Sequence, residues 1–287
     1  MLFRSLLFVP GHNEKMMQSA AKLSVDVILP DVEDAVQPLS MKPAARKQIV
    51  TCISSGVFAG KRVFPRVNGP ESGELLKDLD ALAIDGVDGF MFPKAEEGKD
   101  IFFFDQLLLA MEMERGFEEG TFKIIPLIET TSAVLNAGEI CAASTRVEAI
   151  AYGCEDFVTD LRGVHDPNAE SLFVPRALIA MSARAEGVVP VDTVHVDVMN
   201  IPDLRRNLTV AKNLGFEGML ALHPMEISHI HEFFSPTEEE IKKAMLIKQL
   251  YEENKQVGSG VVFKENMLIG APMYKDALKV LERSKKT

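Results

Sequence analysis

The chain has 287 residues, of which 47% are apolar and 25% charged, with 19 Gly, 15 Pro, 3 Cys and no Trp. The apolar fraction excludes disorder, and the scattered Cys52, Cys141 and Cys154, with no CxxC pair, exclude a disulfide scaffold and a zinc site. A formal charge of −11 excludes nucleic acid and an anionic membrane as main partners, and no apolar run reaches the roughly 20 residues that span a bilayer.

The chain opens on MLFRSLLFVPG, which runs straight into Pro10 and Gly11 without a small-residue cleavage pattern. It reads as a buried strand and not as a signal peptide. A soluble cytoplasmic protein is therefore expected. Candidate strands follow at Ser5–Val9, Val25–Leu29, Arg62–Arg66, Gly89–Phe92, Lys123–Ile128, Glu148–Tyr152, Asp192–Val196 and Gly218–Leu222. They are short and nearly continuous in apolarity, as parallel strands buried on both faces are. Helical stretches lie between them, clearest at Glu74–Ala83, Ile101–Arg115, Thr131–Ala143 and Leu204–Leu214.

Eight β–α units in series favour a (β/α)8 TIM barrel over an open doubly wound sheet. No GxGxxG follows the first strand, so a dinucleotide fold has no specific support. The barrel is expected over residues 1–235. A C-terminal helical extension, residues 236–287, follows as a helix over Pro236–Val257, a turn-rich tail over Gly258–Pro272 and a short helix over Met273–Ser284. That extension is expected to act as a lid or a subunit contact.

Polar residues gather where the strands end: Asp31, Glu33 and Asp34, then Arg66, Lys94, Glu129, Glu155 with Asp156, Asp197 and His223. In a parallel barrel these ends share one face, the face on which barrel enzymes carry their chemistry. Glu129 and Asp156, on adjacent strand ends, repel each other unless one is protonated or a cation sits between them. Oxygen ligands without His or Cys favour Mg²⁺; the other reading makes Glu129 a helix-capping acid. Arg66 offers a planar fork for a carboxylate or phosphate, or else pairs with Asp31 or Glu33. Lys94 reads as a salt-bridge partner and Cys154 as a small buried filler. His165, His195, His229 and His231 read as surface or packing residues.

The ordered segments RSLLFVPG (Arg4–Gly11), DVILPDVEDAV (Asp26–Val36), PRVNG (Pro65–Gly69), FPKAE (Phe92–Glu96), IPLIET (Ile125–Thr130), YGCEDF (Tyr152–Phe157), LGFEGMLALHPMEI (Leu214–Ile227) and FFSPT (Phe233–Thr237) extend over nearly the whole chain. In them the chain resembles the family of citrate lyase β-subunits and malyl-CoA/citramalyl-CoA lyases. The resemblance implies a TIM barrel assembled as a homotrimer or hexamer. It implies a Mg²⁺-dependent lyase that cleaves a citryl-, citramalyl- or malyl-thioester to an acetyl thioester and a 2-oxo acid such as oxaloacetate. By the same resemblance Glu129 and Asp156 hold the Mg²⁺. Arg66 clamps the oxo acid, Glu33 and Asp34 stand near metal-bound water as catalytic acids, and Phe8, Glu155, Asp156, Leu222 and His223 line the substrate site. The sequence departs from the family where Gly270 takes the place of an Asp two residues before Pro272. Two further readings follow: an aldolase acting on free hydroxy-oxo acids, and a binding protein that has lost turnover through Gly270.

Overall fold

The structure, a computed structural model, describes residues 2–164, 169–256, 261–264 and 267–285. It divides into two compact units, one spanning Phe3–Ile230 and the other built from His231 onward together with Leu2.

The first unit holds eight parallel strands: β1 (Ser5–Pro10), β2 (Val27–Asp31), β3 (Arg62–Val63), β4 (Gly89–Phe92), β5 (Lys123–Ile128), β6 (Ala149–Tyr152), β7 (Val189–Asp192) and β8 (Gly218–Ala221). Their order around the sheet is β3-β2-β1-β8-β7-β6-β5-β4. Single bridges from Arg66 to Asp31 and to Met91 close the ring between β3 and β4, so the expected barrel is present. Seven strands, and Phe64 just after β3, send side chains into one core. Leu6, Val27, Leu29, Phe64, Met91, Ile125, Leu127, Ala149, Ala151, Val191 and Leu220 pack together with Phe3, which is the period-two signature of a filled barrel.

The helices of this unit are α1 (Glu14–Ala21), α2 (Lys42–Ser54), α3 (Leu75–Leu82), α4 (Gly98–Arg115), α5 (Thr131–Leu135), α6 (Ala137–Ala142), α7 (Cys154–Leu161), α8 (Glu170–Glu186) and α9 (Ile201–Leu214); α10 (Glu226–Phe234) follows β8. Their starts carry the expected chemistry. Asn13 caps α1, Thr130 caps α5 and Asn200 caps α9, each accepting from a backbone N–H of the first turn. Glu97 and Asp100 form a reciprocal capping box on α4. The second unit contains α11 (Glu238–Gln256), an antiparallel pair β9 (Val262–Lys264) and β10 (Met267–Ile269), and α12 (Ala271–Ser284). Ala244, Ile247, Leu250, Ile269 and Ala277 form its core, and Tyr251 stacks on Tyr274 with ring centres 4.5 Å apart.

Several element boundaries differ from expectation. The seventh strand is Val189–Asp192 and not Asp192–Val196, because pairing with Ala149–Ala151 of β6 selects the earlier part of the run VVPVDTV. Asp192, at its end, is buried against Arg176 of α8, and Asp197 lies further along in the exposed loop beyond. The stretch 131–143 breaks at Asn136 into α5 and α6, because Asn136 leaves helical geometry (φ −99°, ψ 9°). The tail expected to be turn-rich contains the β9–β10 pair. Val257 and His165 lie outside the described residues.

Candidate active site

The carboxyl ends of the strands enclose a cavity of about 470 Å³. One wall is apolar. Phe8 and Pro10 of β1, Leu127, Val194, Val196, Leu220 and Leu222 form it, with Met16 of α1 at the edge. Opposite it the lining carries charge, with Asp31, Asp34 and Arg66 on the β2–β3 side and Glu129, Glu155 and Asp156 on the β5–β6 side, alongside Ala35, Gly153 and Cys154. Sequence expectation therefore placed Phe8, Asp34, Arg66, Glu129, Glu155, Asp156 and Leu222 on one cavity. Two expected residues do not line it. Glu33 is 6% exposed and stands behind Arg66. His223 turns its ring back to accept from Met225 N–H through Nδ1 at 3.2 Å.

Arg66 sits at the centre of an ion-pair group. Its Nε and Nη2 donate to the two oxygens of Asp31 at 2.9 and 2.5 Å. Nη1 lies 3.0 Å from Glu33 Oε2 and 3.3 Å from Asp34 Oδ2. The Glu33 contact lacks hydrogen-bond geometry, which leaves Oε2 buried with charge attraction alone. The guanidinium also lies over the Phe8 ring, 4.8 Å from its centre. Burial by itself lowers the Arg66 pKa, yet Asp31, Glu33 and Asp34 outweigh it and hold the value above its ordinary one. The chain thus realises the expected pairing of Arg66 with Asp31 and Glu33 and also aims Arg66 at the cavity. Lys94 closes the group, with Nζ 3.3 Å from Glu33 Oε1. Burial raises the Glu33 pKa to about 7, with Arg66 pulling it down and Asp34 pushing it up.

The β5–β6 side is built differently. Glu129 follows β5 directly and is 4% exposed. Lys94 N–H donates to its Oε2 at 3.1 Å, from a backbone held at φ 55°, and such left-handed strain in a non-glycine residue gathers at functional sites. Gly153 follows β6 and donates its N–H to Ile128 O at 2.8 Å. A Cβ at Gly153 would stand 2.6 Å from Glu129 Cγ, so only glycine leaves room for the Glu129 side chain there. Beyond Gly153, Glu155 and Asp156 occupy the first turn of α7, where the helix dipole favours anions. Burial, then the charge of Glu33, then that of Asp156 push the Glu129 pKa up to about 8, against Arg66 and the Lys94 N–H.

Among the described residues, no Lys or Arg lies within ion-pair distance of Glu129 or Asp156. Nor, among them, do three His, Cys, Asp or Glu side chains gather to hold a metal by themselves. Two carboxylates without a counter-cation, both lining the cavity, fit a hard cation that completes its shell with water and ligand oxygens.

Sequence reasoning gave no role to Lys42, Asn68, Asp78 and Gly153, although Asn68 stood among the polar strand ends. The first three form a buried hydrogen-bonded group beneath the β2–β3 side. The faint signal was Lys42 and Arg46, one turn apart and so on one face of α2.

A family model described as HpcH/HpaI aldolase/citrate lyase matches residues 4–224. Citrate lyase subunit beta of Haemophilus influenzae is 33% identical over 284 residues, covering 99% of this chain and 97% of that protein. The mitochondrial citramalyl-CoA lyase of Homo sapiens is 28% identical, covering 96% of this chain and 83% of that one. A solved citrate lyase beta subunit from Mycobacterium tuberculosis, complexed with oxaloacetate and magnesium, superposes with a TM-score of 0.66 at 26% identity over 82% of this chain and 98% of its own. The expected class, a lyase, is the class both named relatives carry. No helix among the described residues is long and apolar enough to cross a membrane.

Proposed function

The chain belongs to the HpcH/HpaI aldolase/citrate lyase family, and from that premise we propose that it is a Mg²⁺-dependent carbon–carbon lyase. Its substrate is a β-hydroxyacyl thioester of the citryl, citramalyl or malyl type, and its products are an acetyl thioester and a 2-oxo acid. The observation that carries this reading is the pairing, on one cavity, of Arg66 with two carboxylates that have no cation of their own. The named relatives, and the Mycobacterium protein that holds oxaloacetate and magnesium, support it.

Glu129 and Asp156 hold the ion. Bound Mg²⁺ supplies a Lewis acid that stabilises negative charge developing on oxygen. Arg66 orients the carboxylate of the oxo-acid half through Nη1, the group that Asp31 does not take and whose present neighbours are Asp34 and Glu33, and so fixes the scissile bond against the charged wall. The apolar wall of Phe8, Leu220 and Leu222 takes the acyl chain and keeps water from the enolate. Cleavage needs the β-hydroxyl proton removed as the β-carbon becomes the carbonyl of the 2-oxo acid, while the electron pair of the broken Cα–Cβ bond forms the thioester enolate, whose α-carbon then takes up a proton to give the acetyl thioester. Asp34, at the cavity surface, and Glu33 behind Arg66 are assigned to that proton traffic. Glu155 and the Leu222–His223 peptide complete the substrate site. A homotrimer or hexamer in the cytoplasm, with the segment after residue 235 as lid or subunit contact, belongs to the same proposal.

The test is product analysis with citryl-, citramalyl- and malyl-CoA, with the corresponding free acids as controls. Cleavage of free acids alone would favour the aldolase reading. One observation favours a second reading, a binding protein without turnover. Gly270, at the N-cap of α12, has no side chain to cap or to move a proton. Its surroundings are open, with only Pro272 Cδ at 3.8 Å from a Cβ placed there. Under that reading Gly270→Asp confers turnover that the natural chain lacks, while Mg²⁺ and oxaloacetate binding are already present.

A further inference from the structure

We propose that Lys42 is a positioning residue: its buried ammonium clamps the chain leaving β2 to the chain leaving β3, and so sets where Glu33 and Arg66 stand. The kinetic part of this proposal rests on the lyase reading; the structural part does not.

Lys42 opens α2 and is 2% exposed. Its Nζ donates to Val32 O at 2.8 Å, Glu33 O at 3.0 Å and Asn68 Oδ1 at 2.5 Å. All three ammonium protons are thereby taken. Asn68 extends the clamp. Its Nδ2 donates to Val32 O at 3.1 Å and to Asp78 Oδ2 at 2.7 Å, and its backbone N–H donates to the same Asp78 oxygen at 2.7 Å. Arg46, one turn along α2, donates from Nε to Asp78 Oδ1 at 2.7 Å. One helix face therefore grips the peptides on either side of the Asp31–Arg66 pair. Lys42, Asn68 and Asp78 do not line the cavity, so they act through the residues they hold.

A packing role alone does not explain the charge. Burying an ammonium is costly unless it is paired, and every Lys42 acceptor is neutral. Among the described residues no carboxylate lies within ion-pair distance of it. An apolar side chain of similar length would fill the space at lower cost. What the charge matches is the segment it holds. Asp31, Glu33 and Asp34 are three carboxylates set against two cations, Arg66 and Lys94. Lys42 is the third cation, placed on the backbone of that acidic segment. The carbonyl it anchors belongs to Glu33 itself, and Asp31, two residues back, orients the Arg66 fork. A small displacement of this peptide is passed directly to the side chain that aims at the cavity.

The experiment is Lys42→Met, read by hydrogen–deuterium exchange, Mg²⁺ calorimetry and steady-state kinetics. The expected result is faster exchange in residues 31–36 and 66–69 with Mg²⁺ affinity unchanged. Thioester cleavage falls about 100-fold, mostly in kcat, the scale that a displacement of about 1 Å produces. That kinetic loss is not additive with the loss from Glu33→Gln, since both variants disturb one group. Unchanged exchange in 31–36 overturns the proposal, and so does a kinetic loss fully additive with Glu33→Gln. If Lys42→Met does not fold, Lys42→Gln keeps two of the three N–H donors without the charge and is read the same way. Failure of the wild-type chain to cleave any thioester would sink the lyase reading, and the exchange result would still decide the role of Lys42.

Discussion

The two charged sides of the cavity use the same residue type and treat it in opposite ways. On the β2–β3 side, Asp31, Glu33 and Asp34 are ion-paired with Arg66 and Lys94. On the β5–β6 side, Glu129 and Asp156 have no Lys or Arg within ion-pair distance among the described residues, and burial with like charge pushes the Glu129 pKa up to about 8. A carboxylate that answers to the protein's own cations keeps its place without an added ion. A pair left without a cation is held ready for one from outside. Under the proposed function, Arg66 is an anion clamp that faces a cation seat formed by Glu129 and Asp156.

Breaking the ion-paired side has the largest expected effect. Arg66→Met leaves Asp31 buried without its cation and Glu33 with Lys94 alone, which costs about 3–5 kcal/mol of stability. The same change lowers kcat/KM by about 10³-fold or more, on the scale of losing a preorganised transition-state contact. Urea unfolding and initial rates check the two halves separately.

Glu129→Gln breaks the other side with the opposite sign for stability. It abolishes Mg²⁺ binding in calorimetry, yet it stabilises the metal-free chain. The Glu129 pKa is raised from 4.5 to about 8 in the fold. Its contribution to stability is therefore fully present below about pH 4.5 and is lost as pH rises through about 8. The melting temperature of Glu129→Gln accordingly exceeds that of the natural chain by a margin that widens over this window and then levels off. The same linkage makes the Mg²⁺ affinity of the natural chain climb with pH up to about 8, because the ion must displace a proton.

Gly153→Ala sharpens the comparison further. The added Cβ meets Glu129 Cγ at 2.6 Å while the backbone, at φ −103°, accepts alanine. Mg²⁺ affinity falls about 10–100-fold, as when a ligand's supporting contact is lost, and the metal-free chain keeps its circular dichroism spectrum. Gly270→Asp has the smallest effect on the fold, a gain of a few tenths of a kcal/mol at the α12 N-cap, measured as a slight rise in unfolding midpoint.

Much of this was legible in the sequence where local pattern and function coincide. β4 and β5 lie at their expected bounds, because Gly89–Phe92 and Lys123–Ile128 are short apolar runs bounded by polar residues. Arg66, Glu129 and Asp156 stood out because a charge within a few residues after such a run emerges at the mouth of a parallel barrel. Elements that depend on partners were misplaced. β7 is chosen by its register with β6, which no window of the run VVPVDTV reveals. The β9–β10 pair is short and depends on its own pairing. The Lys42 group was invisible for the same reason: Lys42 meets Asn68 from 26 positions away, and Asn68 meets Asp78 from 10. In sequence each looks like an ordinary polar residue of a helix or a loop.

The most direct test of the account is the fate of citryl-, citramalyl- and malyl-CoA incubated with the chain, with Mg²⁺ present or chelated, followed by quantification of both products. The account predicts acetyl-CoA and a 2-oxo acid in equal amounts from at least one of the three, formed only with Mg²⁺ and lost in Glu129→Ala and Asp156→Ala. Equal turnover in the presence of chelator, activity that survives in those two variants, or no cleavage of any of the three thioesters would contradict it.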